Sequence, residues 1–180
     1  GMLVVKVSVK GKAREIVSAQ IDIKAKVLRN GTEDKFESGE FRDGDDLYLS
    51  FVSPVSGYLA VYLVDAGQKA YCLLPYRSQT DGIYKVEANR RYVFFNIKEA
   101  APQERQYVDE YVMICSRSSE YNQIYVIFSP QPFAKAADNA SAETLPGELN
   151  YKELQKWLTE YRKKDKSMNV IKKSILIINQ

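Results

Sequence analysis

The segment from Asp46 to Leu74 constrains the fold most strongly, because three strand-like stretches follow one another there with short connections. Asp46–Val52 alternates apolar and less apolar residues with the period of two that is typical of a half-buried strand. Tyr58–Val64 is an almost continuous apolar run, which predicts a strand buried on both faces, and Ala70–Leu74 predicts a third strand. Since successive strands with short connections usually pair, we expect an antiparallel meander.

Five further stretches are rich in β-branched and aromatic residues and are separated by polar or turn-forming residues. They are Ile21–Leu28, Tyr92–Ile97, Val108–Cys115, Ile124–Phe128 and Ile171–Ile178. Short strands of this number and spacing favour two packed sheets over an alternation of strands and helices. The sequence therefore predicts an all-β dominated fold, an antiparallel β-sandwich that is immunoglobulin-like or related.

One amphipathic helix is predicted near residues 150–164. Asn150 is a good N-cap and Glu153 follows three residues later, as in a capping box, while Leu149 and Leu154 have the spacing of a hydrophobic staple. We expect Trp157 to pack on the sandwich and the strand that follows the helix to join a sheet. Residues 20–180 are interpreted as a single β-sandwich domain, and residues 1–19 as an arm or linker from a larger protein.

The composition excludes several classes of function. The chain has no histidine, which removes Ser-His-Asp and Cys-His catalytic sites and most catalytic zinc sites. A net charge of +3 is too small for long-range capture of a polyanion, so no nucleic-acid partner is expected. No apolar run has the length of a transmembrane helix, and the first residues lack the pattern of a signal peptide.

Several polar clusters invite a functional interpretation, but each has a simpler structural one. The acidic residues between Glu33 and Asp46 can be calcium ligands or ordinary turn residues, and their spacing does not match an EF-hand. The basic segment 162–166 suits the end of a helix as well as it suits a polyanion. Asp109 and Glu110 adjoin on a predicted strand and so point to opposite faces, which disfavours them as a catalytic pair. Neither a catalytic motif nor a cofactor site is predicted.

Tyrosines in or near loops are the candidate ligand contacts, because flat rings can stack on the apolar faces of sugars. These residues are Tyr76, Tyr84 and Tyr121. The two cysteines, Cys72 and Cys115, lack metal-ligand spacing and are either joined in a disulfide or buried separately as small apolar residues.

Three blocks of the sequence resemble the bacterial domain of unknown function 4384 family. They are F-x-x-G-D-x-L-Y-L at Phe41–Leu49, S-P-x-x-G-Y-L-A-V-Y-L at Ser53–Leu63 and L-L-P-Y at Leu73–Tyr76. Similarity to a version found in Bacteroidetes continues through Asn122–Pro130 and the Trp157 helix. The resemblance implies a β-sandwich module of a cell-envelope or periplasmic protein, attached to other domains, and it carries over no site residues.

These observations together predict a non-catalytic accessory or interaction domain of an exported or cell-envelope bacterial protein. Its expected partner is another protein or a neighbouring domain of the same polypeptide. The alternative is a carbohydrate-binding module, and an enzyme that works without histidine comes third.

Overall fold

The computed structural model describes residues 5–7, 14–16, 20–79, 83–139 and 146–179, the first two segments by their backbone alone. The elements in chain order are β1 (Val5–Val7), β2 (Arg14–Ile16), β3 (Lys24–Arg29), β4 (Glu40–Arg42), β5 (Asp46–Val52), β6 (Gly57–Val64), β7 (Lys69–Leu74), β8 (Tyr84–Val86), β9 (Tyr92–Phe94), β10 (Tyr111–Val112), β11 (Ser119–Ser129), β12 (Glu148–Asn150), α1 (Tyr151–Lys164) and β13 (Asn169–Ile178). Single turns of 3-10 helix lie at Asp34–Phe36 and Arg105–Tyr107. Among the described residues, no helix has the length and apolarity needed to cross a membrane.

Two sheets contain all the described strands except β1 and β2, which pair with each other. In the small sheet, β5 pairs with β3 on one edge, and both β9 and β10 pair along the other. The large sheet has the order β12-β7-β6-β11-β13-β4, with β8 beside β6. All these pairs are antiparallel except β13 with β4. The predicted fold class, an antiparallel sandwich with a C-terminal helix and a final strand, is confirmed.

The main core lies between the two sheets, where the period-two residues of their facing strands meet. The small sheet contributes Leu47, Leu49 and Phe51, and the large sheet contributes Ile124, Val126 and Phe128. All six side chains are at most 2% exposed, and the rings of Phe51 and Phe128 lie 5.6 Å apart between centroids. Burying side chains of this size stabilises a fold by about 1.5–3 kcal/mol each.

A second core lies on the opposite face of the large sheet, which α1 covers. Tyr62, Tyr125 and Ile127 point to this face and pack in one cluster with Leu154 and Leu158 of the helix. This layer explains why β6 is apolar on both faces: one face meets the small sheet and the other meets the helix side.

The helix begins as the sequence predicts. The Asn150 side chain accepts a hydrogen bond from the Glu153 backbone N–H at 2.8 Å, and Leu149 and Leu154 are both buried. Trp157 packs against Phe133 and Tyr62 at 6.2 and 5.9 Å between ring centroids. The prediction that Trp157 packs on the sandwich is therefore confirmed.

The predicted meander is wrong in its first pairing. β6 and β7 pair, but β5 belongs to the other sheet. The connection crosses from one sheet to the other at Ser53, whose buried hydroxyl accepts a hydrogen bond from the Val55 backbone N–H at 3.1 Å and donates one to the Val55 carbonyl at 2.7 Å. A short connection can thus turn across the core instead of along a sheet.

Several predicted strands have different bounds in the structure. The pairing of β3 begins at Lys24 although Ile21 and Ile23 are already buried, and β9 and β10 are shorter than their apolar stretches. β11 is longer, because Ser119–Gln123 pairs with β13 despite its polarity. The prediction of an arm at residues 1–19 falls mostly outside the described residues.

Candidate functional site

Tyr76 and Tyr84 lie together in an aromatic cluster and not on an open surface. Tyr76 is 5% exposed, and its hydroxyl accepts a hydrogen bond from the Phe95 backbone N–H at 3.1 Å. Tyr84 is half-buried and its hydroxyl donates to the Glu104 carboxylate at 3.0 Å. The two rings meet edge to face at 6.4 Å, and burial raises the pKa of both hydroxyls above the usual value. Their contacts therefore stabilise the domain.

Tyr121 stands apart from that cluster, on β11 of the large sheet. It is 67% exposed and borders a cavity of about 520 Å³. Strand alternation places Tyr121 and Gln123 on the helix-side face of the sheet, and both line the cavity together with Tyr151, the first residue of α1. Of the three predicted ligand-contact residues, Tyr121 is the exposed one, since Tyr76 is buried and Tyr84 is half-buried.

The β6–β7 turn forms one wall of this cavity. The Asp65 side-chain Oδ1 accepts hydrogen bonds from the backbone N–H groups of Gly67 and Lys69 at 2.9 and 3.0 Å. Gln68 adopts φ +64° in this turn, and its carbonyl accepts a hydrogen bond from the Tyr151 N–H at 2.9 Å. The turn and the start of the helix are thus held together.

The acidic residues proposed as calcium ligands are divided among different partners. Asp34 contacts Lys26 and Arg91 at 3.3 and 3.0 Å, and the hydrogen bonds from Arg91 and Lys26 lower the pKa of Asp34. Burial alone would raise the pKa of Asp45, but hydrogen bonds from Asn30, the Arg42 backbone and Arg29 outweigh it and lower that pKa. Across the described residues, no group of three acidic, cysteine or histidine side chains has the arrangement of a metal site.

Asp109 and Glu110 bind different segments of the chain. The Asp109 carboxylate accepts hydrogen bonds from the backbone and the guanidinium of Arg77 at 2.8 and 2.9 Å. The Glu110 carboxylate accepts one from the Ile97 backbone N–H at 2.8 Å. Each side chain therefore fastens a loop, and the two do not form a pair.

Both cysteines are free and buried. Cys72 faces the helix side of the large sheet and Cys115 belongs to the core between the sheets. Because they lie in different clusters, the structure corresponds to two separate buried thiols and not to the disulfide alternative. Burial raises the pKa of Cys72 to about 12, which makes its thiolate scarce.

β10 and the residues just after it expose apolar side chains. Val112 is 51% and Ile114 is 70% exposed, whereas Met113 and Cys115 between and after them are buried. The Met113 N–H donates to the Asp45 carbonyl, and the Met113 carbonyl accepts from the Gly44 N–H, each at 2.8 Å. The Met113 backbone therefore faces the residues just before β5, and alternation turns the N–H and C=O groups of Val112 and Ile114 toward the opposite edge, where no described strand pairs with β10.

No family model matches this chain, and no curated protein matches it.

Sequence reasoning missed the edge position of β10. The stretch Val108–Cys115 is predicted as a strand, and Tyr111–Cys115 within it is apolar at every position, so either face of that part can be read as the buried one. The sequence did contain a signal. Asp109 and Glu110 precede the apolar residues and the polar Ser116–Ser119 segment follows them, so the strand is short, which is typical of an edge strand.

Proposed function

We propose that this chain is a non-catalytic interaction domain that binds an extended segment of a partner polypeptide along the edge of β10 that no described strand occupies. The observation that carries the proposal is the exposure of Val112 and Ile114 beside outward-facing backbone groups. Natural sheets usually protect such an edge with lysine, proline or a bulge, because an open edge pairs with other chains. The segment Tyr111–Cys115 contains neither lysine nor proline.

The addition of a partner strand would use both the outward-facing backbone groups and the exposed apolar side chains of this edge. An incoming strand gains main-chain hydrogen bonds from Val112 and Ile114, and its alternate side chains pack on those two residues. Cross-strand apolar pairs of this kind contribute about 0.2–1 kcal/mol each, so specificity must come from several positions.

The charges at the two ends of the edge define the chemistry of the partner. Glu110 precedes the edge and is exposed, while the Arg117 side chain follows it and is 76% exposed. We therefore expect a partner segment with apolar residues at alternate positions, a basic residue opposite Glu110 and an acidic residue opposite Arg117. Such a segment can belong to another protein or to a neighbouring domain of the same polypeptide.

A library of short random peptides displayed on phage tests this proposal. Selection on the folded domain should enrich peptides with that alternating pattern, and Ile114→Lys should abolish their binding. Tyr121→Ser is the matched control, because it changes an exposed side chain on the other sheet and should leave binding intact. Enriched peptides that bind the Ile114→Lys variant equally well, or the absence of any enrichment, would refute the proposal.

Amide hydrogen exchange locates the bound peptide independently. The N–H groups of Val112 and Ile114 should exchange rapidly in the free domain and slowly in the complex, because strand pairing protects them. Protection confined to other segments would show that the peptide binds elsewhere.

We further propose that the parent protein is an exported or cell-envelope protein of a bacterium. The support is the resemblance of the Phe41–Leu49 and Ser53–Leu63 blocks to a family that occurs in such proteins. Fractionation of the native cells with an antibody against this domain tests the location, and recovery with the cytoplasmic fraction alone would contradict it.

A further inference from the structure

We propose that the cavity beside Tyr121 is a binding site for a neutral saccharide built of pyranose rings. The inference does not depend on the proposed role of β10, which lies in the other sheet, although both proposals involve Arg117. The cavity of about 520 Å³ has the size of a small-molecule site. Its floor is the helix-side face of the large sheet at Val64 and Gln123, and its walls are the β6–β7 turn and Tyr151.

Two aromatic rings supply the apolar contacts that a sugar ring needs. A pyranose has faces made of C–H groups, and these pack on the electron-rich face of an aromatic ring. Tyr121 lies at the rim with 67% of its surface exposed, although a large apolar ring is usually placed where it is covered. Tyr151 is half-buried and also lines the cavity, and the hydrogen bond from its backbone N–H to the Gln68 carbonyl fixes its position.

The polar groups around the rings can form hydrogen bonds with the hydroxyl groups of a sugar. Carboxylate, amide and guanidinium groups are planar, and each can form two hydrogen bonds to neighbouring hydroxyls. The cavity contains Asp65, Gln68, Gln123, Glu120 and Arg117.

One of these groups is already held in place before a ligand binds. The two backbone N–H groups that donate to Asp65 Oδ1 fix the carboxylate within the turn. A fixed acceptor of this kind reduces the ordering cost of binding.

The balance of charge selects among sugars. Among the described residues that line the cavity, Asp65 and Glu120 are acidic and Arg117 is basic, so these side chains carry a net negative charge. Arg117 is itself 4.0 Å from the Glu120 carboxylate. A uronate or a sialylated sugar would meet like charge, and a neutral saccharide would not.

Titration calorimetry and amide chemical shifts with defined oligosaccharides test the inference. The probes are cellohexaose, chitohexaose and maltohexaose, and hexagalacturonate is the charged counterpart. At least one neutral probe should bind with a millimolar or lower Kd and shift the amides of Gln68, Tyr121 and Gln123. Hexagalacturonate should bind at least about tenfold more weakly.

Two variants of Tyr121 distinguish a stacking role from a structural one, and a third variant separates this site from β10. Tyr121→Ala should weaken binding about tenfold or more, because it removes the ring, whereas Tyr121→Phe should keep most of the affinity. Ile114→Lys should leave saccharide binding unchanged, so failure of this site and failure of the β10 proposal are separate results. The inference is overturned if no neutral probe binds at millimolar concentration, or if Tyr121→Ala binds as well as the unchanged protein. Equal binding of hexagalacturonate would overturn the choice of a neutral sugar.

Discussion

Removing the hydroxyl of Tyr76 is expected to destabilise the domain without changing its binding properties. That hydroxyl accepts the hydrogen bond of the Phe95 N–H at 3.1 Å, and Phe95 is 1% exposed. Tyr76→Phe keeps the ring and its edge-to-face contact with Phe95 at 6.2 Å, but it leaves a buried N–H without an acceptor. The cost of a buried unpaired donor is about 1–3 kcal/mol.

For a chain of 180 residues, each kcal/mol corresponds to about 2–4 °C in Tm, so a loss of about 2 kcal/mol lowers Tm by about 4–8 °C. Reversible urea unfolding followed by circular dichroism gives the free energy, and calorimetry gives Tm. Tyr121→Phe is the matched control, because it removes a hydroxyl from a ring that is 67% exposed and should change stability by less than about 0.5 kcal/mol. A Tyr76→Phe variant within about 0.5 kcal/mol of the unchanged protein would refute the reasoning, because the Phe95 N–H would then have another acceptor or access to water.

Three further changes test other parts of the fold. Burial raises the pKa of Tyr62 and Tyr76 in the folded state. Their contribution to the free energy of unfolding should therefore be fully present below about pH 10 and fall above that pH by about 1.4 kcal/mol per pH unit for each residue. Urea unfolding at increasing pH measures this change, and a flat profile would contradict the reasoning. Asn150→Ala removes the acceptor of the first helical turn and should cost about 1 kcal/mol in the same assay. Cys72 and Cys115 should react with a thiol reagent only in denaturant, and a mass two hydrogens lower without reductant would instead indicate a disulfide.

The period-two patterns predicted which residues are buried but not which strands are neighbours. Leu47, Leu49 and Phe51 face the core as expected, yet their strand pairs with β3 because a serine-containing turn crosses between the sheets. Alternation reports the side of a strand that is covered, and it carries no information about the partner along its edge. The helix was easier to place, because Asn150 and its staple act through residues that are close in sequence.

The candidate ligand-contact tyrosines also could not be ranked from the sequence alone. Tyr76 and Tyr121 both occur beside polar residues or turns, so the sequence alone does not show which of them is the better candidate for a ligand contact. Their difference comes from tertiary structure: the chain after β9 folds back over Tyr76, whereas β6 ends at Val64 and leaves the Tyr121 end of β11 uncovered on that side. The cavity results from unequal strand lengths, which no local pattern records.

The position of β13 has a consequence for the order in which this domain can form during translation. β13 lies between β11 and β4, and its pairing joins residue 176 to residue 40. Until the ribosome has released residues 169–178, β11 and β4 both have an unsatisfied edge, and the apolar residues Ile175 and Ile177 are missing from the core between the sheets. Contacts this distant in sequence form slowly and leave nascent strands open to wrong pairing. A nascent chain arrested before Asn169 should therefore be sensitive to protease, and one that exposes Ile178 beyond the exit tunnel should be resistant.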